Sequence, residues 1–190
     1  MNRETYLNKA KDELQKFVFS PVGLEIPKDV KISCGFPSSG ARGKRFQTLG
    51  VCHNRASSKN KSNEIFISPV MDDDTRVLDV LAHELIHAID DYKNGHGLPF
   101  KKMAHAIGLT GKMTQTIAGD DLKIKLNKII ERIGKYPHAE VILSERKQSV
   151  RNIKVECLGC EFSYRTSRKN IELIHNWDCP ACEERMQVCP

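Results

Sequence analysis

The chain has 190 residues, of which 39% are hydrophobic and 28% are charged, and its formal net charge is +6 at pH 7. These values are typical of a soluble globular protein with one domain of ordinary size and a small appendage. No apolar run is long enough to span a bilayer, and the first residues lack the basic-then-apolar pattern of a signal peptide. We therefore expect an intracellular, cytoplasmic protein and exclude a membrane-spanning one.

Helical spacing of apolar residues predicts an amphipathic helix over residues 4–19, and Pro21 marks its end. Three short strands are predicted after it, over residues 30–34, 46–53 and 64–68. The segments between these strands are polar, and the first of them is rich in Gly, Ser and basic residues. They are therefore predicted to be loops.

A strongly apolar helix is predicted over residues 75–91, and the acidic run before it suits a helix N-terminus. Pro99 stands where a following helix would start. Residues 108–119 contain three glycines and no strong periodicity, so they are predicted to form a loop. A last amphipathic helix is predicted over residues 120–134.

The helix over residues 75–91 carries His83, Glu84 and His87 in an H-E-x-x-H pattern. Side chains four apart lie on one face of a helix, so both imidazoles can bind one metal ion. Glu84 stands beside the first histidine, where its carboxylate can act as general base on a water molecule. The alternative is a pair of hydrogen-bonded core histidines. A metal site is favoured because two histidines and a glutamate on a buried helix are costly without a partner.

A catalytic zinc needs a third protein ligand and one open position. We select His96, nine residues after His87. A helix continuing beyond His87 would carry this imidazole about 10 Å or more away, so the helix must end near Asp90 and Asp91 and the chain must turn back. Glycines on both sides of His96 allow such a turn. Asp90, Asp91 and His105 are the other candidates for the third ligand.

Four of the seven cysteines form two C-x2-C pairs separated by eighteen residues: Cys157 with Cys160, and Cys179 with Cys182. This spacing is typical of a zinc ribbon, in which four thiolates close the coordination sphere of a structural zinc ion. Two chance pairs are the alternative. A redox role is disfavoured, because a thioredoxin-like motif needs only one pair on a βαβ frame.

Positive charge is concentrated in residues 28–61, where eight Lys and Arg stand against one Asp, while residues 139–190 are formally neutral. Such a basic stretch suits a phosphate backbone. We select two groups of residues as candidate nucleic-acid contacts. The first, in this stretch, is Arg42, Lys44 and Arg45, and the second, in the ribbon, is Arg165, Arg168 and Lys169. In both places the alternative is a solvated basic loop.

An H-E-x-x-H helix, a following His-Gly pair and a C-terminal four-cysteine ribbon resemble the SprT-like family of zincins, which includes the bacterial SprT proteins and the eukaryotic Spartan protease. The resemblance runs from residues 64–69 through residues 83–87 and 96–100 to the ribbon cysteines. Residues 108–119 and 154–169 are similar to the forms found in bacterial and phage members.

The resemblance implies an α+β fold, in which helices pack on a short β-sheet to form a small zincin-like metallopeptidase domain, followed by a zinc ribbon. It implies a catalytic zinc on His83, His87 and His96, with Glu84 as the catalytic residue. For Spartan it further implies DNA-stimulated cleavage of proteins crosslinked to DNA. We place the peptidase domain at residues 1–137, a linker at 138–152 and the ribbon at 153–190.

The first functional hypothesis is therefore a zinc metalloendopeptidase that binds two zinc ions and cleaves proteins associated with DNA. An alternative is a nucleic-acid-binding or transcription-associated protein with a vestigial protease centre. Another is a virion or host-interaction protein whose zinc sites only stabilise the fold.

Overall fold

The computed structural model describes residues 1–41, 47–143 and 152–189. The chain divides into two compact units, residues 1–143 and residues 144–190. Helices and small sheets are mixed along it, which confirms the predicted α+β class. In the part of the chain that is described, no helix is long and apolar enough to cross a membrane. The predicted domain and linker boundaries stay a prediction.

The first unit begins with helix α1 (Arg3–Leu14), whose buried face consists of Tyr6, Leu7, Ala10 and Leu14. Its N-terminus is capped by Asn2, whose side-chain oxygen accepts a hydrogen bond from the Thr5 backbone N–H at 2.8 Å. A π-helical turn (Gln15–Phe19) and a 3₁₀ turn (Ser20–Val22) extend it. The predicted helix is thus confirmed, although its last turn is not α-helical.

A three-stranded sheet follows, made of β1 (Lys31–Cys34), β2 (Gly50–His53) and β3 (Glu64–Ile67). The strand order is β1-β3-β2, with β1 parallel and β2 antiparallel to β3. All three predicted strands are confirmed, but β2 begins at Gly50, later than the predicted start at Phe46, which lies outside the described residues. β2 is an edge strand of this sheet.

Helix α2 (Asp74–Ile89) lies against the sheet and is buried over most of its length. Asp73 caps it by accepting a hydrogen bond from the Arg76 backbone N–H at 2.7 Å. Helices α3 (Leu98–Ile107) and α4 (Asp120–Ile133) pack against it, and α4 also packs on α1. The helices predicted over residues 75–91 and 120–134 are confirmed, although α2 ends at Ile89, and α3 begins next to Pro99 as predicted.

The prediction of a loop over residues 108–119 is wrong. These residues form a β-hairpin of β4 (Leu109–Lys112) and β5 (Gln115–Ala118), with Leu109 opposite Ala118. Thr116 and Ala118 alternate with exposed neighbours and are buried, and β5 contacts α2. Two of the three glycines that suggested a loop, Gly108 and Gly111, lie at a positive φ before and within the hairpin, and the third, Gly119, precedes α4. Packing on α2 therefore outweighs the weak strand propensity of this segment.

The second unit contains β6 (Ile153–Cys157), β7 (Ser163–Thr166), the short helix α5 (Arg168–Glu172) and β8 (Met186–Val188). The three strands form an antiparallel sheet in the order β7-β6-β8. Among the described residues its buried core consists of only four side chains: Val155, Cys157, Cys179 and Met186.

Candidate active site and metal centres

The three histidines selected from the sequence meet at one point of the first unit. The Nε2 atom of His96 lies 3.2 Å from Nε2 of His83 and 3.2 Å from Nε2 of His87. The possible ligand atoms of all three lie within 4.8 Å of one another. His83 and His87 come from successive turns of α2, as their spacing requires. Asp90, Asp91 and His105 are not part of this group.

His96 reaches this point because the chain reverses directly after α2. The helix ends at Ile89, and Asp91 and Tyr92 then adopt φ values of 55° and 58°. Gly95 follows with a φ of 50°. Two consecutive non-glycine residues in the left-handed region are uncommon and must be stabilised by their surroundings. The early helix end and the turn agree with what a third ligand at His96 requires.

The Asp91 carboxylate anchors this turn. Its Oδ1 atom accepts hydrogen bonds from the Arg55 backbone N–H at 2.9 Å and from the Asn63 side-chain amide at 3.0 Å. Asn63 is fully buried, and these bonds hold the pKa of Asp91 below its usual value, the Arg55 N–H contributing most. The segment that carries His96 is therefore fixed to the loop after β2 and to the start of β3.

Electrostatics keep the three imidazoles neutral. Burial, which has the largest effect, and the neighbouring imidazoles together lower the pKa of His83 to about 3 and that of His87 to about 2, and Arg76 contributes at His83. Burial also lowers the pKa of His96. Neutral imidazoles offer lone pairs, and three converging nitrogen atoms match the ligand set of a catalytic zinc. A purely structural cluster fits less well, because Nε2 of His96, which carries one N–H or one lone pair, faces the Nε2 atoms of both His83 and His87 and can form a well-directed hydrogen bond with only one of them.

Glu84 lies on the same helix and is only 6% exposed. Burial raises the pKa of its carboxyl to about 8, partly offset by the backbone N–H of Cys52 on β2. β2 passes so closely that a Cβ atom at Gly50 would lie 2.7 Å from Oε1 of Glu84. Glycine is thus the residue that leaves room for this carboxylate at this point of the strand.

A cleft of about 390 Å³ opens onto the three histidines and Glu84. One wall is β2 with the residues before it, and the opposite wall is the tip of the β4–β5 hairpin. Tyr92, which is 40% exposed, lines the cleft and stacks on His87 with ring centroids 4.4 Å apart. Arg76 is the one Lys or Arg among the described residues that line it.

The four ribbon cysteines converge in the second unit. Sγ of Cys157 lies 3.4 Å from that of Cys182, and Sγ of Cys160 lies 3.7 Å from that of Cys179. All four sulfur atoms lie within 4.8 Å of one another. Burial opposes ionisation of Cys157, but hydrogen bonds from the Gly159 and Cys160 backbone lower its pKa to about 7. Four converging cysteine sulfur atoms suit a closed tetrahedral zinc site.

Three of the six predicted nucleic-acid contacts lie within the described residues. Arg42, Lys44 and Arg45 lie outside the described residues. Arg165 is exposed on β7, and Arg168 and Lys169 are exposed in the first turn of α5.

Within the basic stretch, Arg55 donates two hydrogen bonds to Asp29, which offsets its charge. The other basic side chains that the structure describes in this stretch are exposed: Lys28, Lys31, Lys59 and Lys61.

Sequence reasoning missed two residues that contact this centre, Gly50 and Thr116. Oγ1 of Thr116 lies 2.8 Å from Nδ1 of His83. No local signal marks Thr116, because residues 115–118 do not alternate between polar and apolar side chains, and the alternation of burial appears only in the structure. Gly50 carries no signal in the sequence alone, because its importance comes from a contact with a residue 34 positions away.

Comparison with protein-family models found one match, the SprT-like family, over residues 38–120. The matched segment contains β2, β3, α2, α3 and the β4–β5 hairpin, and with them all three histidines and Glu84. The resemblance seen in the sequence is thereby confirmed. A search of curated proteins gave no significant match.

Proposed function

Because this chain carries a SprT-like domain over residues 38–120, we propose that it is a zinc metallopeptidase that cleaves proteins associated with DNA. The observation that carries the peptidase assignment is the convergence of three neutral imidazoles beside the buried carboxyl of Glu84. In this proposal His83, His87 and His96 hold the catalytic zinc, and the four ribbon cysteines hold a structural zinc.

When bound, zinc supplies Lewis-acid activation of water and polarises the scissile carbonyl. Glu84 accepts the proton of the attacking water on its carboxylate and donates it to the amine that leaves. The burial that raises the pKa of Glu84 makes its carboxylate a stronger proton acceptor than that of an exposed glutamate, which suits a general base. The neutral imidazoles orient the reacting groups and take no part in proton transfer.

The edge strand β2 is the proposed platform for the peptide. Leu49, just before it, accepts a hydrogen bond from the Ser68 backbone N–H at 2.8 Å and so faces β3. Backbone groups alternate in direction along an antiparallel strand, so those of Gly50 face away from β3. No described strand pairs with this side of β2. An extended peptide can add to that edge and bring its carbonyl to Glu84.

Replacing Gly50 by Ala is expected to lower kcat by about 10²-fold, because the new Cβ would lie 2.7 Å from Oε1 of Glu84 and displace the general base. Zinc affinity should stay within a few fold, since no histidine is touched. Steady-state kinetics and metal titration measure the two quantities.

The Glu84→Gln background provides the control for Gly50. If Gly50 acts through the Glu84 carboxylate, adding Gly50→Ala to Glu84→Gln should cost little further activity. Equal losses in both backgrounds would contradict this role and point to blocked peptide binding instead.

Exposed positive charge supports the choice of DNA-associated substrates. Lys59 and Lys61 in the first unit, and Arg168 and Lys169 in the second, are free to meet phosphates, which bind cationic side chains without sequence preference. DNA bound by either surface would raise the local concentration of proteins on the same DNA.

The proposal is tested with the zinc-loaded chain, a DNA-binding protein as substrate, and a second protein that does not bind DNA. Single- or double-stranded DNA should increase cleavage of the first substrate only, and higher salt should reduce that increase. Glu84→Gln serves as the inactive control.

Two different results would count against the proposal. Equal cleavage with and without DNA would contradict the proposal that the substrates are associated with DNA. No cleavage by a chain that holds two zinc ions would contradict the proposed peptidase activity. The sequence-based alternative of a vestigial centre is not favoured, because the histidines and the glutamate are all present and brought together.

A further inference from the structure

Thr116 of β5 contacts the back of the histidine cluster. Its Oγ1 atom lies 2.8 Å from Nδ1 of His83, while Nε2 of the same ring faces His96. Thr116 is only 4% exposed, so water does not compete freely for this bond. The two nitrogen atoms of His83 therefore have separate partners, with the hydroxyl on one side and the cluster on the other.

A buried ion pair fixes Thr116 in this place. Asp79 on α2 is 4% exposed and accepts hydrogen bonds from Arg76 Nη1 at 2.7 and 3.0 Å and from the Ala118 backbone N–H at 3.2 Å. The same Arg76 nitrogen donates to the Thr116 carbonyl oxygen at 3.0 Å. The strand is thus joined to α2 on both sides of Ile117, and the Thr116 hydroxyl is held at His83.

His87 is held differently. Its ring packs between Phe100, with centroids 4.4 Å apart, and Tyr92, also 4.4 Å away. Its buried Nδ1 atom has no hydrogen-bond partner in the described part of the chain. Aromatic packing can fix the plane of a ring, but only a hydrogen bond selects which of its nitrogens carries the proton. Among the three histidines, only His83 has such a hydrogen bond to its Nδ1 atom within the described residues.

We propose that Thr116 is the positioning residue for His83: its hydroxyl oxygen accepts a hydrogen bond from Nδ1–H, which keeps the proton on Nδ1 and presents the Nε2 lone pair to the metal. Outer partners of this kind set both the tautomer and the orientation of metal-binding histidines. The inference rests on the proposed zinc site but not on peptidase activity. It gives the β4–β5 hairpin a function in metal affinity in addition to forming a wall of the cleft.

The test compares Thr116→Val with Thr116→Ser in the full-length chain. Valine keeps the shape of threonine without the hydroxyl, whereas serine keeps the hydroxyl. Thr116→Val is expected to weaken zinc binding at the histidine site by about 10–100-fold, and Thr116→Ser by no more than about threefold. Thr110→Val, on the exposed face of β4, should leave affinity unchanged.

Zinc affinity is measured by competition with a chromophoric chelator. Cobalt substitution separates the two sites, because only the ribbon gives sulfur-to-metal charge-transfer bands. Thermal melting of the zinc-free variants checks that each is folded.

Each outcome has one reading. Unchanged zinc affinity in Thr116→Val would overturn the role of Thr116. An equal loss in Thr116→Ser would also overturn it, because keeping the hydroxyl would then give no benefit and the loss would come from altered packing. A wild-type chain that binds metal only at the ribbon would instead refute the proposed zinc peptidase itself. The two failures are therefore distinguishable.

Discussion

Replacing Glu84 by Gln is expected to lower kcat for peptide hydrolysis by about 10²–10⁴-fold, the contribution typical of a positioned general acid–base group. The amide has nearly the same shape but cannot accept the proton of the attacking water. Zinc should stay bound, because Glu84 is not one of the three converging ligands. Steady-state kinetics on an unfolded protein substrate and the zinc content of the purified variant measure both quantities.

Glu131→Gln is the matched control, since Glu131 is an exposed glutamate on α4 of the same unit and its replacement removes the same charge. It should leave kcat unchanged. Undiminished cleavage by Glu84→Gln would show that the general base lies elsewhere. If zinc and activity were lost together, the contribution of Glu84 to catalysis would not be separated from metal binding by the histidines. That result would contradict the assignment of His83, His87 and His96 as the only protein ligands.

The parts of the site that could be predicted are those encoded by short spacings. His83 and His87 share a face because of the helical repeat, and the helix that carries them is rich in apolar residues that become buried. The need for an early helix end followed from the position of His96, and the left-handed residues Asp91 and Tyr92 provide it. The ribbon cysteines are likewise recognised from the spacing within and between their pairs.

The parts that could not be predicted depend on contacts between distant segments. Thr116 lies 33 positions from His83, and nothing in its own neighbourhood indicates that it meets an imidazole. The hairpin around it has four-residue strands with a glycine, so its strand propensity is weak until α2 packs against it. The need for glycine at position 50 is set by the position of the Glu84 side chain, which lies on another element.

These non-local contacts converge on one helix. α2 carries two of the three proposed zinc ligands and the proposed general base, β2 limits the space around that carboxyl, and β5 is hydrogen-bonded to His83. The long-range partners therefore fix the geometry around residues that are local in sequence. This explains why a short motif identifies the candidate site, whereas the residues proposed to tune its affinity and its proton transfer carry no local pattern.

Cys179→Ser is expected to unfold the ribbon and leave residues 1–143 folded. The second unit buries only Val155, Cys157, Cys179 and Met186 among its described residues, which is too small a core for a domain of about 40 residues without a metal. Structural zinc supplies about 10–16 kcal/mol in comparably small zinc-finger peptides, far more than such a core can provide. Cys179 is 1% exposed, so water cannot readily take the place of its sulfur as a ligand.

Hydrogen exchange followed by mass spectrometry of the full-length chain measures this prediction, because it reports each segment separately. Protection should be lost in β6, β7 and β8 and retained in α2. Cys189→Ser is the matched control, since Cys189 is half-buried in the same unit but is not one of the four converging sulfurs. Retained protection in Cys179→Ser would show that the ribbon folds without its zinc. If the ribbon unfolds while DNA-independent peptide cleavage continues, the second unit serves substrate recruitment and not catalysis.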